Sequence, residues 1–192
     1  MTLDLYLLRH TAPDVARGIC YGRADLPLAP DWRVAWARTL ADIPSSARVD
    51  AVVHSSPARR CLALARTLHP APVVDRRLAE MDFGHWEMRR WDDIPRVEID
   101  AWRDALATYR IPGGETVAEV SARATAFVAE LAATDRRRHL VVTHGGVIRC
   151  LVNAALGRPP EQAFRVRAAY GSVTRIVYRP ERASVETIVP AS

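Results

Sequence analysis

The sequence contains no lysine, so all 27 of its basic residues are arginine. They outnumber the 22 acidic residues and give a formal net charge of +5, which suits either nucleic acid or a small anionic substrate. The arginines are scattered, however, and their one run of three, 136–138, lies in a polar turn before a predicted strand. No basic stripe interleaved with aromatic residues accompanies that run, so we predict no nucleic-acid partner.

Cysteine and long apolar runs are scarce as well. Cys20, Cys61 and Cys150 are odd in number, far apart and without CxxC spacing, which predicts neither a disulfide framework nor a zinc site. No apolar run approaches the roughly 20 residues that cross a bilayer. The N-terminus also lacks the basic and apolar stretches of a secretory signal. We therefore expect a cytoplasmic protein with reduced thiols and no membrane partner.

The residues that are present predict an α/β fold. With 192 residues, 49% of them hydrophobic, the chain suits one domain with a sizeable core. Short apolar runs alternate with helical patterns, which predicts a largely parallel sheet with helices on both faces. The segment 81–114 breaks this alternation, and we interpret it as an insertion over the sheet. The predicted strands are 3–8, 51–54, 72–75, 139–143, 172–178 and 184–189, and the predicted helices are 31–42, 57–68, 117–133 and 147–156.

Polar residues of similar chemistry follow three of the predicted strands. The first strand ends at Arg9 and His10, the second leads into a helix that begins near Arg60, and a later strand leads into His144 and Gly145. Ligands bind beyond the carboxyl ends of the strands in open parallel sheets, so these groups should share one crevice. Guanidinium groups and helix N-termini bind phosphate oxygens. The sequence therefore predicts a site for a phosphate dianion.

Five motifs along the chain resemble those of the histidine phosphatase superfamily, also called phosphoglycerate mutase-like. They occur in the family's order and cover nearly the whole chain. The resemblance therefore implies one domain, 1–192, with the family's three-layer α/β sandwich and a small phosphorylated substrate. The motifs are LRHTA (8–12), SSPARR (55–60), LAEMDFGHWE (78–87), PGGET (112–116) and VTHGG (142–146).

The resemblance also implies a role for each matching residue. His10 is expected to attack phosphorus and become a phosphohistidine. Glu80 is expected to protonate the leaving alkoxide and then to activate water. Arg9, Arg60 and His144 are expected to hold the phosphoryl oxygens, with His144 counted among the catalytic residues. No metal or other cofactor is implied, because these cationic side chains offset the phosphoryl charge.

Three carboxylates compete for the role of the acid. Asp82 and Glu87 lie in the same motif as Glu80, and only the family's register favours Glu80. In a purely structural interpretation, Glu80 would instead pair with Arg76 or Arg77.

The segment 11–28 is the best guide to the substrate, since it resembles the α-ribazole phosphatase branch. This implies hydrolysis of α-ribazole 5′-phosphate late in cobalamin biosynthesis. We expect Thr11, Arg23 and Gly145 to contact the substrate, although Arg23 could instead pair with Asp25. Thr11 stands where the superfamily usually has glycine.

Other functions stay open at this point. They are a broad-specificity small-molecule phosphatase, a phosphoglycerate mutase and a non-catalytic regulatory relative. The chain is short for a mutase, and a non-catalytic relative should lack a nucleophile, an acid or a phosphate ligand. The remaining histidines, His54, His69, His85 and His139, are interpreted as structural, and the oligomeric state is not predicted.

Overall fold

A computed structural model describes residues 2–187, and its central feature is one sheet of six strands. The strands are β1 Leu3–Arg9, β2 Val52–Ser55, β3 Val73–Val74, β4 Arg138–Thr143, β5 Val173–Tyr178 and β6 Ala183–Thr187. Their order across the sheet is β3-β2-β4-β1-β5-β6. Strands β1 to β4 pair in parallel, whereas β5 and β6 pair antiparallel with their neighbours. The sheet is thus mostly parallel, which confirms the predicted α/β class.

Helices cover both faces of the sheet and complete the three layers. They are α1 Trp32–Ala41, α2 Ser45–Arg48, α3 Arg59–Leu68, α4 Arg96–Asp104, α5 Val117–Ala132 and α6 Gly145–Ala155. Helices α1 to α3 pack into one core cluster with one face of the sheet. Helices α5 and α6, with α4 beside them, form the other cluster. Within residues 2–187, no helix has both the length and the apolarity needed to span a membrane.

Strand β1 explains why the chain begins with a nearly continuous apolar run. Leu5 and Leu7 are buried on the α5 and α6 side, while Tyr6 and Leu8 are buried on the α1 to α3 side. Successive side chains of a strand point to opposite faces, so a strand covered on both faces is apolar throughout. Each buried leucine contributes about 1.5–3 kcal/mol. That packing fixes the end of β1, where Arg9 and His10 follow.

The helix boundaries differ from the predicted ones at two sites that matter for function. Helix α3 begins at Arg59 rather than at 57, because Pro57 precedes the N-cap residue Ala58. Helix α6 begins at Gly145 rather than at 147. Glycine is a poor helix former, but the N–H groups of a first turn have no partner within the helix and can bind other groups. Gly146 uses its N–H group in this way, donating it to Glu80.

Two helices were not predicted, namely α2 and α4. Helix α4 belongs to the segment 81–114, which otherwise consists of loops and short 3-10 turns. Buried residues of this segment, including Trp86 and Ile111, extend the core cluster that α5 and α6 form.

Helix α5 begins as predicted at Val117, with Thr116 as its N-cap in a capping box. Of the predicted strand 184–189, the last two residues lie outside the described part of the chain.

Candidate active site

The predicted phosphate-binding residues meet at the carboxyl ends of β1, β2 and β4. The N–H of His10 donates to the carbonyl of Thr143 at 3.1 Å, which joins the end of β1 to the end of β4. The N–H of Ser56, just after β2, donates to the carbonyl of Val142 at 3.0 Å. These bonds extend the parallel pairing by one residue, so the loops that follow the three strands converge as expected.

His10 is buried, with 1% of its surface exposed, and its protonation state follows from that burial and from its neighbours. Its Nδ1 lies 2.7 Å from the carbonyl oxygen of Thr11. Because a carbonyl can only accept, Nδ1 carries the ring proton and Nε2 keeps its lone pair. Burial, together with the positive charges of Arg60 and Arg9, lowers the pKa of His10 to about 3. The imidazole is therefore neutral near pH 7, as a nucleophile must be.

Arg60 lies directly beside His10 and is completely buried. Its Nε–H points at His10 Nε2 across 3.4 Å. Its two terminal nitrogens donate to the carbonyls of Ala24 and Gly22, both at 2.7 Å. The guanidinium is thus fixed by backbone on the far side, while its charge faces the atom that would receive the phosphoryl group.

His144 lies beside His10, with 5.1 Å between the ring centroids. Its Nδ1 faces an Nη2 of Arg60 at 3.3 Å, and its Nε2 lies 2.7 Å from Ser56 Oγ. Since a guanidinium only donates, Nδ1 accepts and Nε2 donates its proton to the serine hydroxyl. Burial and the charge of Arg60 hold the pKa of His144 well below its usual range. Both nitrogens are engaged, so His144 would have to exchange one bond to reach a phosphoryl oxygen.

Arg9 and Gly145 are brought together at the start of α6. Arg9 donates to the carbonyl of Ala168, and its guanidinium carbon lies 3.9 Å from the ring centre of Tyr170. A Cβ on Gly145 would lie 3.1 Å from that guanidinium carbon and 3.3 Å from an Nη1 of Arg149. The absence of a side chain at Gly145 therefore leaves room for the guanidinium groups of two arginines.

Glu80 and His10 both line one cavity at this end of the sheet. Its Oε1 accepts the N–H of Met81 at 3.0 Å, and its Oε2 accepts the N–H of Gly146 at 3.1 Å. No contact joins Glu80 to Arg76 or Arg77; Arg77 instead pairs with Asp75 and Glu130. The structural alternative considered for Glu80 therefore does not occur among residues 2–187. A Cβ on Gly146 would lie only 2.3 Å from Glu80 Oε1, so this position has to be glycine if the carboxylate is to stay where it is.

The two rival carboxylates, Glu87 and Asp82, accept hydrogen bonds from backbone N–H groups away from His10. Both oxygens of Glu87 are taken by backbone N–H groups, from Gly22, Arg23, Ala24 and Phe83, at 2.8–3.2 Å. Asp82 accepts the N–H of Gly84 at 2.8 Å and does not line the cavity around His10. Of the three acidic residues, only Glu80 lines that cavity.

None of the three predicted substrate contacts, Thr11, Arg23 and Gly145, lines the cavity around His10. Arg23 does not pair with Asp25; its Nε donates to the backbone carbonyl of Glu80 at 2.9 Å, and its Nη2 lies 3.2 Å from Glu115. Thr11 is buried, and its carbonyl binds His10, but its side chain does not line the cavity. Arg23 and Thr11 thus each contact a candidate catalytic residue, Glu80 and His10 respectively.

The cavity around His10 has a volume of about 230 Å³ and combines charged and aromatic walls. Within residues 2–187, no group of three or more His, Cys, Asp or Glu side chains is arranged to hold a metal ion. Aromatic rings supply much of the wall beyond Glu80. They belong to Tyr21, Phe83, Trp91, Trp102, Phe164 and Tyr170.

Sequence reasoning missed Arg149, Tyr170 and the aromatic wall. The pattern offers one usable signal for Arg149, which is its spacing from Gly145 and Gly146. Arg149 follows Gly145 by four residues and Gly146 by three, so in a helix all three lie on the same face. Phe164 lies in a short 3-10 helix, 160–165, and Tyr170 in the loop between that helix and β5, and no periodic pattern there predicts which side chains turn inward.

Known proteins resemble this chain along nearly its whole length. The model of the histidine phosphatase superfamily, branch 1, matches residues 5–189. The "Probable phosphoglycerate mutase GpmB" of Proteus mirabilis is 33% identical over 187 residues, covering 92% of this chain and 86% of the relative. The structure of the α-ribazole phosphatase of Shigella flexneri is 25% identical, with a TM-score of 0.83 and coverage of 96% and 95%. A mycobacterial glucosyl-3-phosphoglycerate phosphatase is 27% identical, with a TM-score of 0.82 and coverage of 97% and 98%.

Proposed function

Because this chain belongs to branch 1 of the histidine phosphatase superfamily, we propose that it is a phosphomonoesterase that works through a phosphohistidine on His10. Its leading substrate is α-ribazole 5′-phosphate. The observation that carries the proposal is the presence of one neutral, buried histidine and one carboxylate, Glu80, on the walls of the same cavity.

The first step transfers the phosphoryl group to His10. The lone pair on Nε2 attacks phosphorus, an N–P bond forms, and the bond from phosphorus to the ester oxygen breaks. Glu80 gives its proton to that departing oxygen, so the product leaves as an alcohol. Arg60 and Arg9 stabilise the charge on the phosphoryl oxygens, since phosphoryl transfer depends mainly on positioning and electrostatics.

The second step restores the enzyme. Glu80, now a carboxylate, takes a proton from a water molecule as that water attacks phosphorus. The N–P bond breaks, inorganic phosphate forms, and His10 recovers its Nε2 lone pair while Nδ1 stays protonated and bonded to the Thr11 carbonyl. Glu80 gives up a proton in the first step and regains one in the second, while His10 accepts and then releases the phosphoryl group. Each turnover therefore ends with the protonation state in which it began.

The proposed substrate is supported by the aromatic wall of the cavity. α-Ribazole is a nucleoside with a flat bicyclic base, and aromatic rings bind such a base by stacking. Trp91 and Trp102 are stacked at 6.2 Å with 24° between their planes, and Phe164 meets Trp102 edge-on at 5.4 Å. The segment 11–28 adds the resemblance to the α-ribazole phosphatase branch.

Phosphoglycerate mutase activity is the second candidate, favoured by the 33% identity to GpmB. A mutase returns the phosphoryl group to a second hydroxyl of the same substrate, whereas a phosphatase gives it to water. Release of inorganic phosphate from 3-phosphoglycerate therefore separates the two.

A substrate panel tests the proposal. It contains α-ribazole 5′-phosphate, 3-phosphoglycerate and p-nitrophenyl phosphate, each with and without EDTA, and it uses the wild type, His10→Ala and Glu80→Gln. We expect the highest kcat/KM for α-ribazole 5′-phosphate, and an acid-labile phosphoenzyme that His10→Ala lacks. Full activity in His10→Ala, or conversion of 3-phosphoglycerate to its isomer without phosphate release, would refute the phosphatase mechanism.

A further inference from the structure

Arg149 lies on α6, four residues after Gly145. It lines the main cavity together with His10 and Glu80. It also lines a smaller space of about 40 Å³ behind Glu80, next to Gly146 and Cys150. Arg149 is not within bonding distance of His10, whereas Arg60 is. Its position beside the carboxylate that protonates the leaving oxygen associates it with the leaving group rather than with the phosphoryl group.

The guanidinium of Arg149 is held at one end and open at the other. Its Nε donates to the carbonyl of Val166 at 3.1 Å, and its guanidinium carbon lies 5.4 Å from the ring centre of Phe164. Among residues 2–187, its two terminal nitrogens have neither a hydrogen-bond partner nor an ion-pair partner. The oxygens of Glu80, the nearest carboxylate of the cavity, accept backbone N–H groups instead.

This arrangement has an electrostatic cost that a ligand would relieve. Arg149 and Arg9 flank Gly145, and burial together with the charge of Arg9 lowers the pKa of Arg149. Two like charges kept close in a partly buried site destabilise the protein unless an anion or strong acceptors lie between or beside them. A guanidinium presents its donors in a planar fork, which matches two adjacent oxygen atoms.

We propose that Arg149 is a specificity-determining residue that binds a pair of adjacent oxygens on the leaving group, either a carboxylate or a vicinal diol. The inference rests on the proposed function, because it concerns the alcohol half of the same ester. Selectivity follows from the planar fork, since a substrate without an oxygen pair offers no matching acceptors to its two terminal nitrogens.

Three substrates separate the possibilities. α-Ribazole 5′-phosphate carries a vicinal diol, O-phosphoserine carries a carboxylate, and p-nitrophenyl phosphate carries neither beside its ester oxygen. Each is assayed with the wild type, Arg149→Met, Arg149→Lys and the control Arg165→Met, which changes an exposed arginine of the same region. Thermal melting verifies that the variants fold.

We expect Arg149→Met to lower kcat/KM for the preferred oxygen-pair substrate by about 10- to 100-fold, the effect of losing one or two charge-assisted hydrogen bonds. The loss should lie mainly in KM, and p-nitrophenyl phosphate should change by less than about threefold. Arg149→Lys should recover part of the loss, because it keeps the charge but not the fork. The substrate that suffers the larger loss identifies whether a diol or a carboxylate is bound.

Equal losses on all three substrates would overturn the inference, because Arg149 would then act on the phosphoryl group or on Glu80. No loss on any substrate would overturn it as well. In both cases the wild type still releases phosphate and forms a phosphohistidine, so the proposed function survives. A wild type that hydrolyses none of the three removes the proposed function and this inference together.

Discussion

The substitution Gly146→Ala tests the proposed acid without changing any group that carries chemistry. A Cβ at this position would lie 2.3 Å from Glu80 Oε1, whereas real Cβ atoms do not come within 3.0 Å of such a neighbour. The carboxylate must therefore move by at least about 0.7 Å. A displacement of this order from the productive geometry costs roughly 100-fold in rate. We expect kcat for an alkyl phosphate to fall by about that factor.

The stability of the same variant should change little. Glu80 Oε1 is the end of a side chain that can rotate away, and alanine is about 1 kcal/mol more favourable than glycine within a helix. The Tm of Gly146→Ala should accordingly equal or slightly exceed that of the wild type. A large drop in Tm would mean that the backbone of α6, rather than the carboxylate, had moved.

The assay compares leaving groups that need the acid to different degrees. An alkoxide leaves only when protonated, whereas 2,4-dinitrophenolate leaves readily without a proton. The loss caused by Gly146→Ala should therefore be large for an alkyl phosphate and below about fivefold for 2,4-dinitrophenyl phosphate. In a Glu80→Gln background, Gly146→Ala should add almost nothing, because the two changes remove the same interaction. Equal losses for both leaving groups, or full additivity, would refute the assignment of Glu80.

Three further predictions concern stability. Glu87→Gln should lower the free energy of unfolding by about 2–4 kcal/mol in urea titrations, because the amide nitrogen cannot accept the two N–H groups that one carboxylate oxygen now binds; an unchanged midpoint would contradict this role. Thr116→Ala removes the N-cap of α5 and should cost about 1 kcal/mol, whereas Thr125→Ala, in the exposed middle of that helix, should cost less than 0.5 kcal/mol by the same titration. Burial and His139 lower the pKa of His54 to about 4, so the unfolded protein binds more protons between about pH 6.5 and 4. The free energy of unfolding should therefore fall by up to about 3 kcal/mol as the pH decreases through that window, because protonation of His54 favours the unfolded chain. This decrease should be smaller in His54→Gln.

The sheet and the phosphate end of the site were predictable from local sequence. Strand β1 is apolar on both faces, and the residues after β1, β2 and β4 are brought together by parallel pairing alone. The position of Arg60 behind His10 follows from that topology once the helix start is known. Helix α6 shows the limit of the same reasoning, because the sequence predicted its start at 147, after the two glycines, and only the contacts of Glu80 and Arg9 explain why they lie in its first turn.

The leaving-group end was less predictable, because it is assembled by tertiary contacts. Trp102 comes from α4 and Phe164 from the turn before β5, yet their rings meet at 5.4 Å. Nothing in their sequence spacing indicates this contact. An aromatic residue in a polar segment is equally consistent with packing in the core, as the fully buried Trp86 demonstrates.

The choice among Glu80, Asp82 and Glu87 shows why residue type alone could not identify the acid. All three are carboxylates within eight residues, so their intrinsic chemistry is nearly the same. They differ in how many backbone N–H groups surround them, which depends on the path of distant segments. The loop at 22–24 turns its N–H groups onto Glu87 and thereby fixes the carbonyls that hold Arg60. Glu87 thus positions Arg60, the proposed phosphate-binding arginine, through backbone, while Glu80, with a single N–H on each oxygen, faces the cavity as the proposed acid.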